Sequence, residues 1–300
     1  MKKNFLILFI AIFACVGMFS ACTQPQETKS DQGFIIQLWS VNNSTRQDFE
    51  GTIRQLAEMG YTGVEIFDFT WGNGTWFGLQ PAEVRRIADY YGVELVSSHL
   101  HRVLAPNPEE TNWDAIWAYW DRAFDAHLEA GIRYLVDPAV RPDRLQSREH
   151  VLAYAEYFNE IGRRAAARGL SFGYHNHDWE LTIMHDGQSV WDILIENTDP
   201  EYVFFQLDLY WVVRARNNQY VVDLFNRHPG RFHHLHVKDV GALGGENSIM
   251  DFPLIFNNLE NSGAMYMIVE IERVPDQMAA ARQSIEYLRT VDWWRDTYLD

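Results

Sequence analysis

The chain has 300 residues, 47% hydrophobic and 22% charged, with 11 Trp, 14 Tyr and 18 Phe. That composition supports a large buried core and excludes both disorder and a small disulfide scaffold. Acids outnumber Lys and Arg by 41 to 25, a formal charge of -16, which disfavours a phosphate-backbone binder because such a partner needs a basic face.

The N-terminus reads as an address. Lys2 and Lys3 precede the apolar run Phe5 to Phe19, and Ser20-Ala21-Cys22 follows. The run is short for a membrane span and has the make-up of a secretory signal. A cysteine directly after Ser-Ala predicts cleavage before Cys22 and lipidation of its thiol, with plain secretion as the alternative. Residues 1–21 are thus expected to be a lipoprotein signal peptide and 22–32 the lipidated cysteine with a polar tether, leaving 33–300 as one domain. Cys15 and Cys22 are the only cysteines, so the mature domain has no thiol for disulfides, nucleophilic catalysis or zinc. Membrane contact is expected only through the lipid.

From Gly33 onward, β-rich runs alternate with amphipathic stretches. Strands are predicted at Phe34–Leu38, Gly63–Phe67, Glu94–His99, Tyr134–Asp137, Ser171–His175, Val203–Asp208, His233–Lys238 and Met267–Ile271. Helices are predicted at Phe49–Met59, Ala82–Tyr91, Trp113–Ala130, His150–Arg168, Val190–Glu196, Val221–Asn226, Pro253–Asn261 and Gln277–Leu288. Gly60, Gly92, Gly131, Gly169, Gly230 and Gly263 stand just before strands, where a helix-ending glycine belongs. Eight such units in about 270 residues predict an α/β fold, a single-domain (β/α)8 TIM barrel. A doubly wound sheet usually carries a glycine-rich loop after its first strand, and Gln37-Leu38-Trp39-Ser40 has no glycine.

In a barrel the chemistry gathers at the C-terminal strand ends. Extending strand five through Ser171 to His177, period two places His175 and His177 on one face. Strand six ends in Asp208; strand seven puts His234, His236 and Lys238 in phase; strand eight supplies Glu270. Strand three offers His99 and His101, and strand two Glu65. A His, an Asp, a His and a Glu on four neighbouring strand ends suit one divalent ion such as Mn, Co, Zn or Fe. Asp208 and Glu270 would repel each other without a cation between them or a proton on one. Lys238 is a candidate to stabilise an oxyanion, or to pair with Asp239 or another acid. Phe69, Trp71, Trp76 and Phe77, with Trp39, Trp179 and Trp211, are candidates to stack on sugar faces. Gly72, Gly74 and Gly78 suggest a mobile loop there.

These segments resemble the xylose isomerase-like barrels grouped as sugar phosphate isomerases/epimerases, a superfamily shared with AP endonucleases of the endonuclease IV type. The resemblance runs from about Gly33 to Leu288. It rests on Ile36 to Val41, Ala57 to Glu65, Ser97-Ser98-His99, Gly173 to Glu180, Thr198-Asp199-Pro200, Gln206 to Trp211, His236 to Asp239 and Ile268-Val269-Glu270. It implies one divalent metal on His175, Asp208, His236 and Glu270, and proton transfer through an enediolate. Glu270, His177 and Lys238 are the expected catalytic residues; Gln37, Trp39, Glu65, His99, Glu180 and Trp211 are expected to meet substrate. Where family epimerases have a strand-five glutamate this chain has His175, so a two-glutamate proton exchange is not matched and His177 or Glu180 would supply the missing group. The resemblance implies an isomerase or epimerase of a keto-sugar, and the export signal with no clustered phosphate site points to an unphosphorylated one. One alternative is a lyase or dehydratase on 3-keto-glycosides; another is a non-catalytic carbohydrate-binding lipoprotein. The substrate partner is a small carbohydrate, no nucleic acid is expected, and a homo-oligomer is left open.

Overall fold

Each barrel strand must hide two faces, one towards the barrel axis and one towards the helices, so its residues are buried almost without interruption. The computed structural model describes residues 33–298; the expected signal peptide and the Cys22 tether lie outside them. Eight parallel strands close a barrel: β1 (Phe34–Gln37), β2 (Tyr61–Ile66), β3 (Glu94–His99), β4 (Tyr134–Asp137), β5 (Ser171–His175), β6 (Val203–Asp208), β7 (His234–Lys238) and β8 (Tyr266–Glu270). Spatial order follows chain order, and β8 pairs back onto β1 through Ile35 with Ile268 and Ile36 with Val269.

Alternation sorts the side chains. All six residues of β6 are buried: Phe205 packs outward against Trp191 of the helix Val190–Asn197, while Phe204, Gln206 and Asp208 take the inner phase. The outer core is one large cluster, and a separate set of Ile35, Val96 and Ile268, backed by Tyr266, fills the barrel axis. Gly173 is required at that axis. A Cβ there would lie 2.5 Å from the Phe204 ring, so any larger residue would force that ring to move.

The helices start and stop on local signals. Asp48 Oδ1 accepts the Gly51 N–H at 2.9 Å to cap the helix Phe49–Met59, and Gly60 ends it at φ 101°. Three short helices not foreseen from periodicity, Asn42–Gln47, Trp179–Thr182 and Leu209–Ala215, follow β1, β5 and β6 at the C-terminal rim. The segment with Gly72, Gly74 and Gly78 is not a loose loop. It forms a hairpin of Phe69–Thr70 with Thr75–Trp76, and Trp76 is fully buried against His127, which makes it core rather than a sugar platform.

Candidate active site

Polar residues in the inner phase collect on the last turn of the barrel. Asp208 sits at the end of β6, where its Oδ1 caps the next helix by accepting the Trp211 N–H at 3.0 Å. The cap fixes the carboxylate and leaves Oδ2 buried without a hydrogen bond, 3.5 Å from the Lys238 ammonium. Asn176 holds the same strand end by accepting the Asp208 N–H at 2.9 Å. His236 donates from Nε2 to Glu65 Oε1 at 2.7 Å and from Nδ1 to Glu270 Oε2 at 3.0 Å. His175 turns Nε2 towards Asp208 Oδ2 at 3.9 Å.

One ligand atom from each of His175, Asp208, His236 and Glu270 lies within 4.8 Å of the others, all four residues buried; His99, His175 and His236 form a second such group. Two carboxylates, two imidazoles and an orphaned buried carboxylate oxygen fit a divalent cation of the N/O-binding kind. The four expected ligands are therefore brought together.

Electrostatics match this crowding. Burial pushes the Asp208 carboxyl up to about 7, against the pull of Lys238. Burial also opposes ionisation of Glu270, but Lys238 and His236 hold its carboxyl well below the usual range. Burial disfavours charge on His236, yet Glu65 and Glu270 on either side push its pKa up to about 10. Lys238 is the cation between the two acids: its Nζ lies 3.0 Å from Glu270, 3.5 Å from Asp208 and 3.1 Å from Glu272, with Trp211 beneath at 4.8 Å. Its partners are these three acids and not Asp239, whose Oδ1 accepts the Val240 and Ile249 amides.

Above the cluster opens a cavity of about 470 Å³. Its polar wall includes His99, His101, His175, His177, Glu270 and Glu272; its apolar wall includes Trp39, Phe67, Phe69 and Tyr119. Trp39, the first residue after Leu38, is 42% exposed and so presents a free ring face.

Other expected site residues sit elsewhere. Strand β5 stops at His175, and His177 lies in the following turn, its ring stacked on Trp179 at 4.1 Å and 5.2 Å from His175. It still faces the cavity, and burial pushes its pKa down to about 3. Glu180 does not reach the cluster: fully buried, it accepts from the Tyr174 hydroxyl and from the His177 N–H, the latter at 2.8 Å. Gln37 and Glu65 are fully buried, bonded to each other at 2.7 Å beneath the cluster, and neither lines the cavity. Glu65 also accepts from Ser97 at 2.6 Å and Gln206 at 2.7 Å, with His99 Nε2 at 3.0 Å. Trp211 is buried under Lys238 rather than open to the cavity. Gln206, Asn176 and Glu272 were not singled out from the sequence. Gln206 had a visible signal, a lone amide in the inner phase of an otherwise apolar strand.

The model of the family "Xylose isomerase-like TIM barrel" matches residues 53–291. The chain belongs to that family. An inosose dehydratase of Erwinia tasmaniensis is 22% identical over 258 residues, covering 76% of this chain and 83% of that protein. A sugar phosphate isomerase/epimerase from Parabacteroides distasonis superposes with a TM-score of 0.79 at 27% identity, covering 87% of this chain and 94% of that one. The IOLI protein, solved with a bound zinc atom, shares the fold with a TM-score of 0.67 at 13% identity, over 88% of this chain and 99% of that one.

Proposed function

We propose that this barrel is a divalent-metal-dependent isomerase or epimerase of an unphosphorylated keto-sugar or sugar derivative, acting by proton transfer next to a carbonyl. The observation that carries it is Glu270, which lines the cavity and at the same time belongs to the buried four-residue set of His175, Asp208, His236 and Glu270. The ion held by these four, one of Mn²⁺, Co²⁺, Zn²⁺ or Fe²⁺, would supply Lewis acidity to the substrate carbonyl and acidify the adjacent C–H.

The chain's own groups do the rest. Glu270 is kept ionised by Lys238 and His236, so it is a base at neutral pH. His177, neutral and facing the same cavity, is the second proton carrier where a strand-five glutamate is missing. Lys238 is pinned by three acids, so its role is to offset their charge and hold Glu270 in place rather than to travel to substrate. Trp39 offers an aromatic face to the C–H edges of a sugar ring.

A second reading, elimination of a β-oxygen substituent by a dehydratase or lyase acting on a 3-keto-glycoside, uses the same proton abstraction. It is favoured by the imidazole at His175 and by the inosose dehydratase relative, since elimination needs one base and one acid rather than a glutamate pair. The charge of -16 and the cavity's acidic lining argue against nucleic acid as substrate. We place the protein outside the cytoplasm, anchored through a lipid on Cys22, where phosphorylated sugars are scarce; a Cys22→Ala chain that stays membrane-bound refutes this. Incubating the purified protein and Mn²⁺ with a panel of keto-sugars and 3-keto-glycosides, and following both interconversion and loss of water or aglycone, separates the two readings. A protein that binds sugars but neither binds metal nor exchanges C–H would be the non-catalytic binder.

A further inference from the structure

An imidazole binds a metal only through a bare nitrogen, so the side chains beneath a histidine decide whether it is a ligand at all. In this barrel the layer below the cluster is a closed set of hydrogen bonds whose direction can be followed from one end. Gln37 Oε1 accepts the Trp39 main-chain N–H at 2.9 Å, which leaves Gln37 Nε2 to donate to Glu65 Oε1 at 2.7 Å. Ser97 donates to Glu65 Oε2 at 2.6 Å. Gln206 must then turn Nε2 to Glu65 Oε2, at 2.7 Å, because the reversed amide would set its oxygen against a carboxylate oxygen. The same Nε2 has His234 Nδ1 as a second acceptor at 3.4 Å. Its Oε1 therefore faces His175 Nδ1 at 3.0 Å and His99 Nε2 at 2.7 Å, and as an acceptor it requires a proton on both. Register explains the convergence: Gln206 is the strand partner of His175 on one side and of His234 on the other.

We propose that Gln206, oriented by Glu65, is a positioning residue that fixes His175 as the Nδ1–H tautomer and so turns its bare Nε2 to the metal site. The same amide makes Nε2 of His99 a donor. His99 is thereby held as the Nε2–H tautomer, with its Nδ1 bare. Glu65 does for His236 what Gln206 does for His175: it accepts the Nε2–H bond, so the nitrogen that would give up its proton to a metal is Nδ1, the atom beside Glu270. The proposal rests on the ligand reading of these histidines.

The test reads tautomers directly. Long-range ¹H–¹⁵N spectra of the histidines in the whole protein, with and without Zn²⁺, are compared for wild type, Gln206→Leu and Gln206→Glu, with thermal melting to confirm that each variant folds. Wild type should show His175 protonated at Nδ1 and bare at Nε2. Gln206→Leu should lose the single tautomer and weaken Zn²⁺ binding about 10- to 100-fold, the size typical for loss of such an outer partner. Gln206→Glu keeps an acceptor for His175 and should restore its tautomer, although it now faces Glu65. A Gln206→Leu protein that folds and retains the Nδ1–H tautomer overturns the proposal. If Gln206→Glu fails to fold, the leucine variant alone decides. A lost tautomer with unchanged Zn²⁺ affinity supports the role of Gln206 and refutes His175 as a ligand, so the two failures are distinct.

Discussion

Replacing Glu180 by glutamine should make the protein more stable than wild type at pH 8 but not at pH 4.5. Burial pushes the Glu180 carboxyl up from 4.5 to about 7, partly offset by the donated bonds from the Tyr174 hydroxyl and the His177 N–H. Between pH 4.5 and 7 the unfolded chain has released this proton while the folded one still holds it, so stability falls as pH rises. The slope is about 1.4 kcal/mol per pH unit, and above pH 7 the penalty levels off at roughly 3 kcal/mol. The substituted amide carries no charge and escapes it; its oxygen can still accept the His177 amide. Denaturant unfolding of both proteins from pH 4.5 to 8 should show the difference growing in favour of Glu180→Gln by that order, or by about 6 °C or more in Tm. A difference that is flat with pH, or that favours wild type more as pH rises, refutes the view that Glu180 is a neutral, buried strut for the His177 turn.

Other expectations follow from the cluster. Asp208→Ala should abolish metal binding at little cost in folding, since it removes the acid whose ionisation the fold resists; calorimetric titration with Mn²⁺ and melting curves check both. His236→Ala should lose metal too but cost about 3–5 kcal/mol, because it leaves Glu65 and Glu270 buried without their shared imidazolium. Metal affinity should rise with pH through about 7 as Asp208 ionises, with a further proton released from His236 at any pH below about 10; titrations in buffers of different ionisation enthalpy count those protons.

Most of the barrel was legible because short β-rich runs alternate with amphipathic helices that end in glycine, and polar residues gather towards the C-terminal ends of the strands. β3, β4, β5 and β6 begin and end where the residue pattern changes, at Glu94–His99, Tyr134–Asp137, Ser171–His175 and Val203–Asp208. The extension of strand five to His177 failed for a local reason. Alternation persists in the sequence, but the Asn176 side chain takes the Asp208 N–H that a continuing ladder would have used, and the chain turns. The rim helices were hidden by their length, since six, four and seven residues are too few for a helical period. The four clustered acids and histidines were legible from strand phase. The bonding of the layer beneath them was not: Gln37 was expected at substrate and Gln206 stands out as a lone amide, but which atoms of Gln206, Ser97 and Gln37 face Glu65 is encoded by no spacing in the chain. Glu65 and Glu180 show the converse, carboxylates expected at substrate that the fold uses for its own bonding.

The central claim is that Glu270 removes a substrate proton in a metal-dependent site, and the direct measurement is deuterium uptake from D₂O into a turned-over keto-sugar, read by mass spectrometry at saturating Mn²⁺. Wild type should incorporate solvent deuterium at the carbon next to the carbonyl, removal of metal should stop it, and Glu270→Gln should lose it even where some Mn²⁺ stays bound, because an amide is a weaker ligand and no base. His177→Ala should slow the second proton transfer while leaving exchange in place. Undiminished exchange in Glu270→Gln together with none in His177→Ala would contradict the account, moving the base to His177 and leaving Glu270 as a ligand only.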